Sequence, residues 1–328
     1  MSILVCGGAG YIGSHFVRML CDQGDDVVVA DALFTGHREA VDPRATFYPI
    51  NIADEVALRE LFEAHDLQAV VHFAAYSQVG ESMKKPLDYF ENNVAATLTL
   101  LQVMRDFQIP HLVFSSTAAV YGDPGNEDLT EKTPPRPMNP YGESKLAMER
   151  MIHWMAEATG MTYMSMRYFN VAGAWPDGTL GEDHRPETHI IPIAVNASLK
   201  SRPFTIFGSD YPTPDGTCVR DYVHVMDLVA AHLLALSALQ KGAASSIYNL
   251  GSGSGYSNGA IVRAVEEVTG VPFPVTYGPR RPGDPARLVA VSQKIRQELG
   301  WTPQYESLRA IIESAVRWHR AHPEGYSD

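Results

Sequence analysis

Short apolar runs alternate with helical patterns over the first 170 residues of the chain. Residues 2–6, 27–30, 46–50, 69–73, 111–116 and 162–168 are apolar runs that predict buried strands. Apolar residues at helical spacing lie between them and predict helices, among them one from Asp54 to His65, a long one over about 87–107 and one starting near Tyr141. This alternation predicts an α/β fold with a doubly wound parallel sheet.

Past residue 170 the pattern becomes less regular. Prolines interrupt it repeatedly, at positions 176, 186, 192, 203, 212 and 214. Pro breaks helices and sheet ladders, so this part is expected to consist of short elements. We therefore predict a first domain over 1–170 and a smaller mixed substrate domain over 171–328, interleaved with the first.

A glycine-rich loop joins the first predicted strand to the first predicted helix. Its sequence is GGAGYIG, with glycines at 7, 10 and 13. Glycines at this turn let the backbone approach a pyrophosphate, whose charge the helix N-terminus favours. The second predicted strand ends in Asp31, where a carboxylate pairs with an adenosine ribose 2′-OH and repels a 2′-phosphate. The loop therefore predicts NAD binding in preference to NADP.

A second glycine-rich run, at 251–255, follows the predicted strand 246–250 and precedes a helical pattern. No strand ending in an acid follows it at the required distance. We interpret it as a loop of the second domain and not as a second NAD site.

Composition and charge narrow the class of protein. The chain has 328 residues, a net charge of −12, 45% hydrophobic and 20% charged residues, values ordinary for a globular enzyme. The acidic balance argues against nucleic acid as a partner. Three scattered cysteines indicate reduced thiols and a cytoplasmic protein. No apolar stretch is long enough to span a bilayer, no signal peptide is recognisable, and the histidines lack H-E-x-x-H spacing, so neither a membrane nor a metal is expected.

Tyr141 and Lys145 lie four residues apart on a predicted helix and so share one face. A free tyrosine titrates near about 10, and a neighbouring ammonium together with a nicotinamide cation would lower that pKa. Ser115 and Thr117 end the preceding predicted strand, where the sheet opens. Together with the glycine loop, these residues predict a proton-transfer site beside a nicotinamide.

The motifs along the whole chain resemble those of the extended short-chain dehydrogenases/reductases, which have a Rossmann fold, and within them the UDP-glucose 4-epimerases. The resemblance rests on the blocks GGAGYIGSH (7–15), NNV (92–94), SSTAAVYG (115–122), NPYG (139–142), RYFN (167–170), GED (181–183), PETH (186–189), DGTCVRDY (215–222) and RRPGD (280–284). It implies reversible inversion at C4 of a UDP-hexose, by transient hydride transfer to tightly bound NAD through a 4-keto intermediate.

The resemblance also implies roles for individual residues. The catalytic residues would be Tyr141 as base, Lys145 as its activator and Thr117 as a partner of the sugar O4. The NAD site would comprise Gly7, Gly10, Tyr11, Ile12, Asp31, Asn51, Ile52, Phe73, Ala74, Ala75, Ser77, Asn92, Ser115, Tyr141, Lys145, Tyr168 and Phe169. Asn51 stands where the family often has Asp, and Ser77 where some members have Lys.

For the UDP-sugar, two guanidiniums suit a diphosphate because each offers a planar fork of donors. By the resemblance, the substrate site would comprise Thr117, Tyr141, Asn170, His189, Ile190, Thr205, Ile206, Phe207, Arg220, Arg281, Asp284 and Leu288. Leu288 occupies the family position that admits or excludes a C2 N-acetyl group. Because leucine is intermediate in size, we expect weak activity on N-acetylated sugars beside the main activity.

Three other functions remain open at this point. Nucleotide-sugar dehydratases and decarboxylases share the fold but need acidic residues where this chain has Ala118 and Ala119. An epimerase for UDP-xylose and UDP-arabinose, or for UDP-N-acetylhexosamines, differs only in how the sugar is recognised. A non-catalytic NAD sensor would have no reason to hold Tyr141, Lys145 and Thr117 together.

Apolar residues on two predicted helices suggest that the chain forms a homodimer. They are Val94, Leu98 and Leu101 on the helix over 87–107, and Met148, Met151, Ile152 and Met155 on the helix over 141–159. They exceed what one sheet face needs to cover, and the resembled family dimerises through such helices.

Overall fold

The structure is a computed structural model that describes residues 2–125, 127–281 and 284–327. Its strands are β1 (Ser2–Cys6), β2 (Asp26–Ala30), β3 (Thr46–Tyr48), β4 (Leu67–His72), β5 (His111–Thr117), β6 (Thr162–Tyr168), β7 (Asn170–Ala172), β8 (Phe204–Phe207), β9 (Val219–His224), β10 (Ser246–Leu250), β11 (Gly255–Ser257), β12 (Val275–Gly278) and β13 (Arg287–Leu288). The predicted strands of the first 170 residues are confirmed, with ends that shift by two residues at most.

The helices are α1 (Tyr11–Gln23), α2 (Glu55–Ala64), α3 (Val79–Ser82), α4 (Pro86–Tyr89), α5 (Ala96–Asp106), α6 (Pro140–Thr159), α7 (Ile190–Leu199), α8 (Val225–Gln240), α9 (Asn258–Thr269), α10 (Gln293–Leu299) and α11 (Leu308–Ala321). The long helix predicted over about 87–107 is confirmed as an unbroken helical run, in which a π-helical segment, Phe90–Ala95, lies between α4 and α5. None of the described helices is long and apolar enough to cross a membrane.

Seven parallel strands of the described chain form the central sheet, in the order β10-β6-β5-β4-β1-β2-β3. Neighbouring residues of the central strands point to opposite faces, as in Leu4 and Val5 of β1. Leu4 packs under α2, α5 and α6, whereas Val5 packs under α1 and α8. The strand order reverses between β1 and β4, and doubly wound sheets bind ligands at such a point. The predicted fold class is confirmed.

The C-terminal part forms smaller sheets beside this one. β9 pairs with β11, β13 and β7, while β8 pairs with β12. Helices α7, α9 and α11 share a separate apolar core with β8 and β9. β10 and α8 belong to the central sheet and its covering layer although they follow residue 171. The division at 170/171 stays a prediction.

The surface proposed for dimer contact is smaller than predicted. Leu101, Met148 and Ile152 are core residues under the central sheet, so their assignment to an interface is wrong. Val94, Met151 and Met155 are only partly buried against the same core. Leu98 is 46% exposed, and Trp154, which the sequence pattern did not single out, is 69% exposed.

Candidate active site

The glycine loop lies at the point where the strand order reverses. Gly7 has a φ of +80°, and a Cβ there would lie 2.5 Å from the backbone nitrogen of Ala74. A Cβ on Gly13 would lie 2.0 Å from the Gly7 carbonyl oxygen. Only glycine fits at these two positions, so the backbone turns tightly from β1 into the N-terminus of α1.

Asp31 fixes the other side of this turn. Its carboxylate accepts hydrogen bonds from the backbone amides of Ala9, at 2.9 Å, and Leu33, at 2.8 Å. Burial raises the pKa of Asp31, and these amides oppose the rise. The carboxylate thus stands at the end of β2 next to the glycine loop, the position from which it would reach an adenosine ribose. The cradle and this acid fit NAD.

A small cavity of about 100 Å³ adjoins the glycine loop and Asp31. The predicted NAD residues that line it are Gly7, Gly10, Asp31, Asn51, Ile52, Phe73, Ala74, Ala75 and Asn92. The side-chain oxygen of Asn51 accepts a hydrogen bond from the backbone amide of Ala53 at 2.9 Å. Phe34 and Thr35 also line this cavity, although the sequence pattern gave them no role.

Tyr141, Thr117 and Lys145 meet where β5 ends against α6. Burial raises the pKa of Tyr141 to about 12, and a hydrogen bond with Thr117 offsets part of this rise. Lys145 is 2% exposed and donates to the carbonyl oxygen of Ser115 at 2.8 Å. Burial lowers the pKa of Lys145 to about 7 against the opposing effect of Glu149. The expected lowering of the tyrosine pKa by Lys145 is therefore absent from this arrangement.

The start of α6 explains how these side chains are held. Asn139 caps the helix by accepting the amide of Gly142 at 2.8 Å, and Pro140 occupies the first turn. Ser144 accepts a hydrogen bond from Asn93 of the π-helical segment at 3.0 Å. The π-helical segment therefore braces the helix that carries Tyr141 and Lys145, and such segments are frequent at functional sites.

A buried ion pair lies beneath the same strand ends. Arg167 on β6 and Glu149 on α6 are 4% and 5% exposed and form two hydrogen bonds, at 2.9 and 2.5 Å. Ser116 donates to the same carboxylate, and Tyr121 accepts from the guanidinium at 3.1 Å. Each charge is thus paired and hydrogen-bonded, which is what a buried ion pair requires.

The opposite end of the cleft carries the predicted diphosphate residues. Arg220 contacts the carboxylate of Asp284 at 2.9 Å, and Arg281 lies over the ring of Phe207 at 4.3 Å. Asn170 donates to the carbonyl oxygen of Asp221 at 3.1 Å. Pro282 and Gly283 of the RRPGD block lie outside the described residues. Two guanidiniums at one cavity wall suit a diphosphate.

Two larger cavities join these ends. The main cavity, of about 920 Å³, is lined by the predicted residues Gly7, Gly10, Tyr11, Ile12, Phe73, Ala75, Ser77, Ser115, Thr117, Tyr141, Lys145, Tyr168, Phe169, Asn170, His189, Arg220, Arg281, Asp284 and Leu288. A second cavity, of about 350 Å³, adds Ile190, Thr205, Ile206 and Phe207 and shares Arg220 and Arg281 with the first. Every residue predicted for the site therefore lines one of three adjoining cavities. Their roles stay predictions.

Backbone amides of the glycine-rich run at 251–255 donate hydrogen bonds to a carboxylate of the protein. The backbone amides of Ser252 and Gly253 donate to the buried carboxylate of Asp221, at 2.7 and 3.0 Å. Ala290 donates to it as well, at 3.0 Å. These amides are therefore already hydrogen-bonded within the protein, and the assignment of this run to a second domain stays a prediction.

Sequence reasoning gave no role to three residues of the cavity wall, Glu182, His184 and Glu187. They line the main cavity with His189. Each carboxylate contacts both imidazoles, at distances from 2.9 to 3.4 Å. Burial alone would lower the pKa of His184, but the two carboxylates outweigh it and raise this pKa to about 9. The sequence signal that could have identified these residues is the spacing E-x-H-x-x-E-x-H, which runs from the GED block to the PETH block.

A parallel sheet with a glycine-rich dinucleotide cradle, a Tyr-x-x-x-Lys pair and a nearby arginine pair defines a class of NAD-dependent enzymes acting on nucleotide-linked substrates. The model of the NAD dependent epimerase/dehydratase family matches residues 3–251, and the chain belongs to this family. The resemblance stated from the sequence is therefore confirmed.

Within the family, several similar proteins are named UDP-glucose 4-epimerase. The chain is 54% identical to the UDP-glucose 4-epimerase of Lacticaseibacillus casei over 100% of its own length and 99% of that protein. A crystal structure of a UDP-glucose 4-epimerase superposes with a TM-score of 0.98 at 53% identity, covering all of both chains. The Bifidobacterium longum UDP-glucose 4-epimerase, in complex with NAD+ and UDP, superposes with a TM-score of 0.93 at 35% identity, covering 99% of this chain and 100% of that one.

Proposed function

We propose that this chain interconverts UDP-glucose and UDP-galactose by inverting the configuration at C4, with NAD as its cofactor. One observation carries the proposal: Tyr141 and Thr117 line one cavity together with the glycine loop and with Arg220 and Arg281. A UDP-sugar held by these arginines extends into the end of the cavity where Tyr141 lies. The relatives' name agrees with this reading.

Tyr141 is the proposed base, and it takes the proton of the sugar 4-OH while Thr117 holds the oxygen. Bound NAD supplies the acceptor of the C4 hydride and a positively charged ring that favours the phenolate. Burial keeps Tyr141 protonated and Lys145 does not by itself lower the pKa of Tyr141, so ionisation would need the nicotinamide cation beside the Lys145 ammonium. The 4-keto sugar then rotates to present its opposite face while the arginines retain its diphosphate. Tyr141 returns the proton to the sugar O4.

Dehydration is disfavoured by the residues next to Thr117. Ala118 and Ala119 begin a 3-10 turn, Ala118–Tyr121, at the end of β5, and neither can transfer a proton. The later acid–base steps of a dehydratase or decarboxylase therefore have no group at these positions. Epimerisation needs only the single proton transfer at O4 that Tyr141 provides.

The test uses the purified NAD-loaded protein and UDP-galactose. Separation of the nucleotide sugars should show UDP-glucose accumulating to equilibrium, with no net formation of reduced cofactor. The same assay with UDP-arabinose and UDP-N-acetylgalactosamine distinguishes the other epimerase specificities. Failure to form UDP-glucose from UDP-galactose would refute the proposal, whether or not the other two substrates are converted.

We also propose that the chain is a homodimer and that it is cytoplasmic. Leu98 on α5 and Trp154 on α6 are exposed apolar side chains on adjoining helices, which supports an interface there. Cys6, Cys21 and Cys218 are all free and buried, which suits a reducing compartment. Light scattering of the wild type and of Trp154→Glu tests the dimer: the variant should shift toward monomer, and a monomeric wild type at micromolar concentration would contradict it.

A further inference from the structure

Four side chains of the loop between β7 and α7 converge on one point in the wall of the main cavity. The atoms are carboxylate oxygens of Glu182 and Glu187 and the Nδ1 atoms of His184 and His189, all within 4.8 Å of one another. Glu182 is 5% exposed, so this carboxylate of the cluster is buried inside the protein. Imidazole nitrogens and carboxylate oxygens are both zinc ligands.

The spacing of these atoms matches a coordination shell. Glu182 lies 3.3 Å from His184 and 2.9 Å from His189, while Glu187 lies 3.4 Å from His184 and 2.9 Å from His189. Zinc bonds of about 2.0–2.2 Å at tetrahedral angles separate neighbouring ligand atoms by about 3.3–3.6 Å. A small rearrangement of the four side chains therefore encloses a cation of this size.

A second observation separates this cluster from an ordinary group of ion pairs. The Nδ1 atom of His184 is buried and has no hydrogen-bond partner among the described residues, although two carboxylate oxygens lie within 3.4 Å. An imidazolium paired with these acids would direct an N–H at one of them. The nitrogen is placed instead between both, as a ligand atom is.

We propose that Glu182, His184, Glu187 and His189 form a closed site for one divalent cation of zinc type. The mixed nitrogen and oxygen ligands favour such a cation over Ca²⁺ or Mg²⁺, which prefer oxygen alone. With four protein ligands the site has no vacant position, so its role is structural. This replaces the expectation, drawn from the absence of H-E-x-x-H spacing, that the chain holds no metal.

The cation would stabilise the loop at the boundary between the NAD cradle and the diphosphate end. His184 packs edge-on against Tyr11 of the glycine loop, and His189 lines both larger cavities. A metal on Nδ1 of His189 leaves the proton on Nε2, which fixes that atom as a hydrogen-bond donor. The proposal does not depend on the reaction proposed above.

The experiment titrates the untagged, NAD-loaded protein with Co²⁺, because tetrahedral Co²⁺ absorbs strongly in the visible range. Wild type should bind one Co²⁺ per chain with this spectrum, and Zn²⁺ should displace it. His184→Gln should weaken binding by more than the roughly 10–100-fold that loss of an outer-shell contact costs. His153→Gln, an exposed histidine on α6, is the matched control and should bind as wild type.

The outcomes are distinct from those of the activity test, because the readout is metal binding alone. A wild type without a stoichiometric tetrahedral spectrum overturns the proposal, whether or not the variants fold. Equal loss in His153→Gln and His184→Gln overturns it as well, because binding would then be adventitious. Glu187→Gln provides a second ligand variant, expected to lose binding, should His184→Gln not yield folded protein.

Discussion

The two ends of the main cavity are built in different ways. At the catalytic end, Thr117, Tyr141 and Lys145 stand on β5 and α6, are almost fully buried and are braced by hydrogen bonds. At the diphosphate end, Arg220, Arg281 and Asp284 are charged and more exposed, and two of the three stand on irregular loops. One end is positioned by regular secondary structure, whereas the other places most of its charged side chains on irregular segments.

This difference fits the two tasks proposed for the site. Proton transfer needs atoms held within hydrogen-bonding geometry, and rigid elements supply that. A diphosphate is held by charge-assisted hydrogen bonds, which tolerate flexible side chains. Substitutions at the catalytic end should therefore change turnover or stability, and those at the diphosphate end should change KM.

The largest effect is expected at Tyr141. Tyr141→Phe removes the only proton acceptor proposed for the 4-OH while keeping the ring that fills the site. Because general base catalysis contributes about 10²–10⁴-fold, kcat should fall by at least about 10²-fold, with NAD still bound. Steady-state kinetics and the cofactor released on denaturation measure both. Tyr163→Phe, outside the cavity, is the control; activity of Tyr141→Phe within tenfold of wild type would contradict the assignment.

The second largest effect is expected on the stability of the catalytic end. Arg167→Met leaves the Glu149 carboxylate buried without its partner, so the free energy of unfolding should fall by about 3–5 kcal/mol. Arg150→Met, an exposed position on the same helix as Glu149, should leave it unchanged. Denaturant unfolding of the NAD-loaded proteins measures the difference. Equal stability of the two variants would show that this pair does not brace the catalytic end.

At the diphosphate end, Arg281→Ala should raise KM for UDP-galactose with a small change in kcat. A charge-assisted hydrogen bond contributes about 1.5–3 kcal/mol, which corresponds to roughly a 10–150-fold rise. Arg280→Ala is the matched control, since Arg280 contacts Asp210 at 2.7 Å and does not line the main cavity. If the two variants have the same KM, Arg281 does not hold the diphosphate.

The smallest effect concerns the sugar between the two ends. Leu288 stands on β13 opposite Arg220 and lines the main cavity. Leu288→Tyr should remove a weak activity on UDP-N-acetylgalactosamine and spare the main activity, because steric discrimination is worth about 1–3 kcal/mol per methylene-sized change. The ratio of kcat/KM for the two substrates measures this. An unchanged ratio would show that Leu288 does not limit the size of the C2 group.

The sequence predicted the catalytic end better than the loops, and the reason is physical. Strand periodicity and the caps at Asn139 and Pro140 are local signals, so β5, α6 and the residues they carry could be placed without coordinates. Burial is not local: Leu101 and Trp154 have similar apolar character, yet one is core and the other exposed. The convergence of Glu182, His184, Glu187 and His189 depends on loop geometry, which periodicity does not encode.

The most direct test of the central claim follows a deuterium label at C4 of UDP-galactose. If hydride leaves C4 and returns to the opposite face while Tyr141 handles only the hydroxyl proton, the UDP-glucose formed in ordinary water retains deuterium at C4. NMR of the isolated product measures this retention. Loss of the label to solvent would show that C4 itself is deprotonated, and would contradict the account.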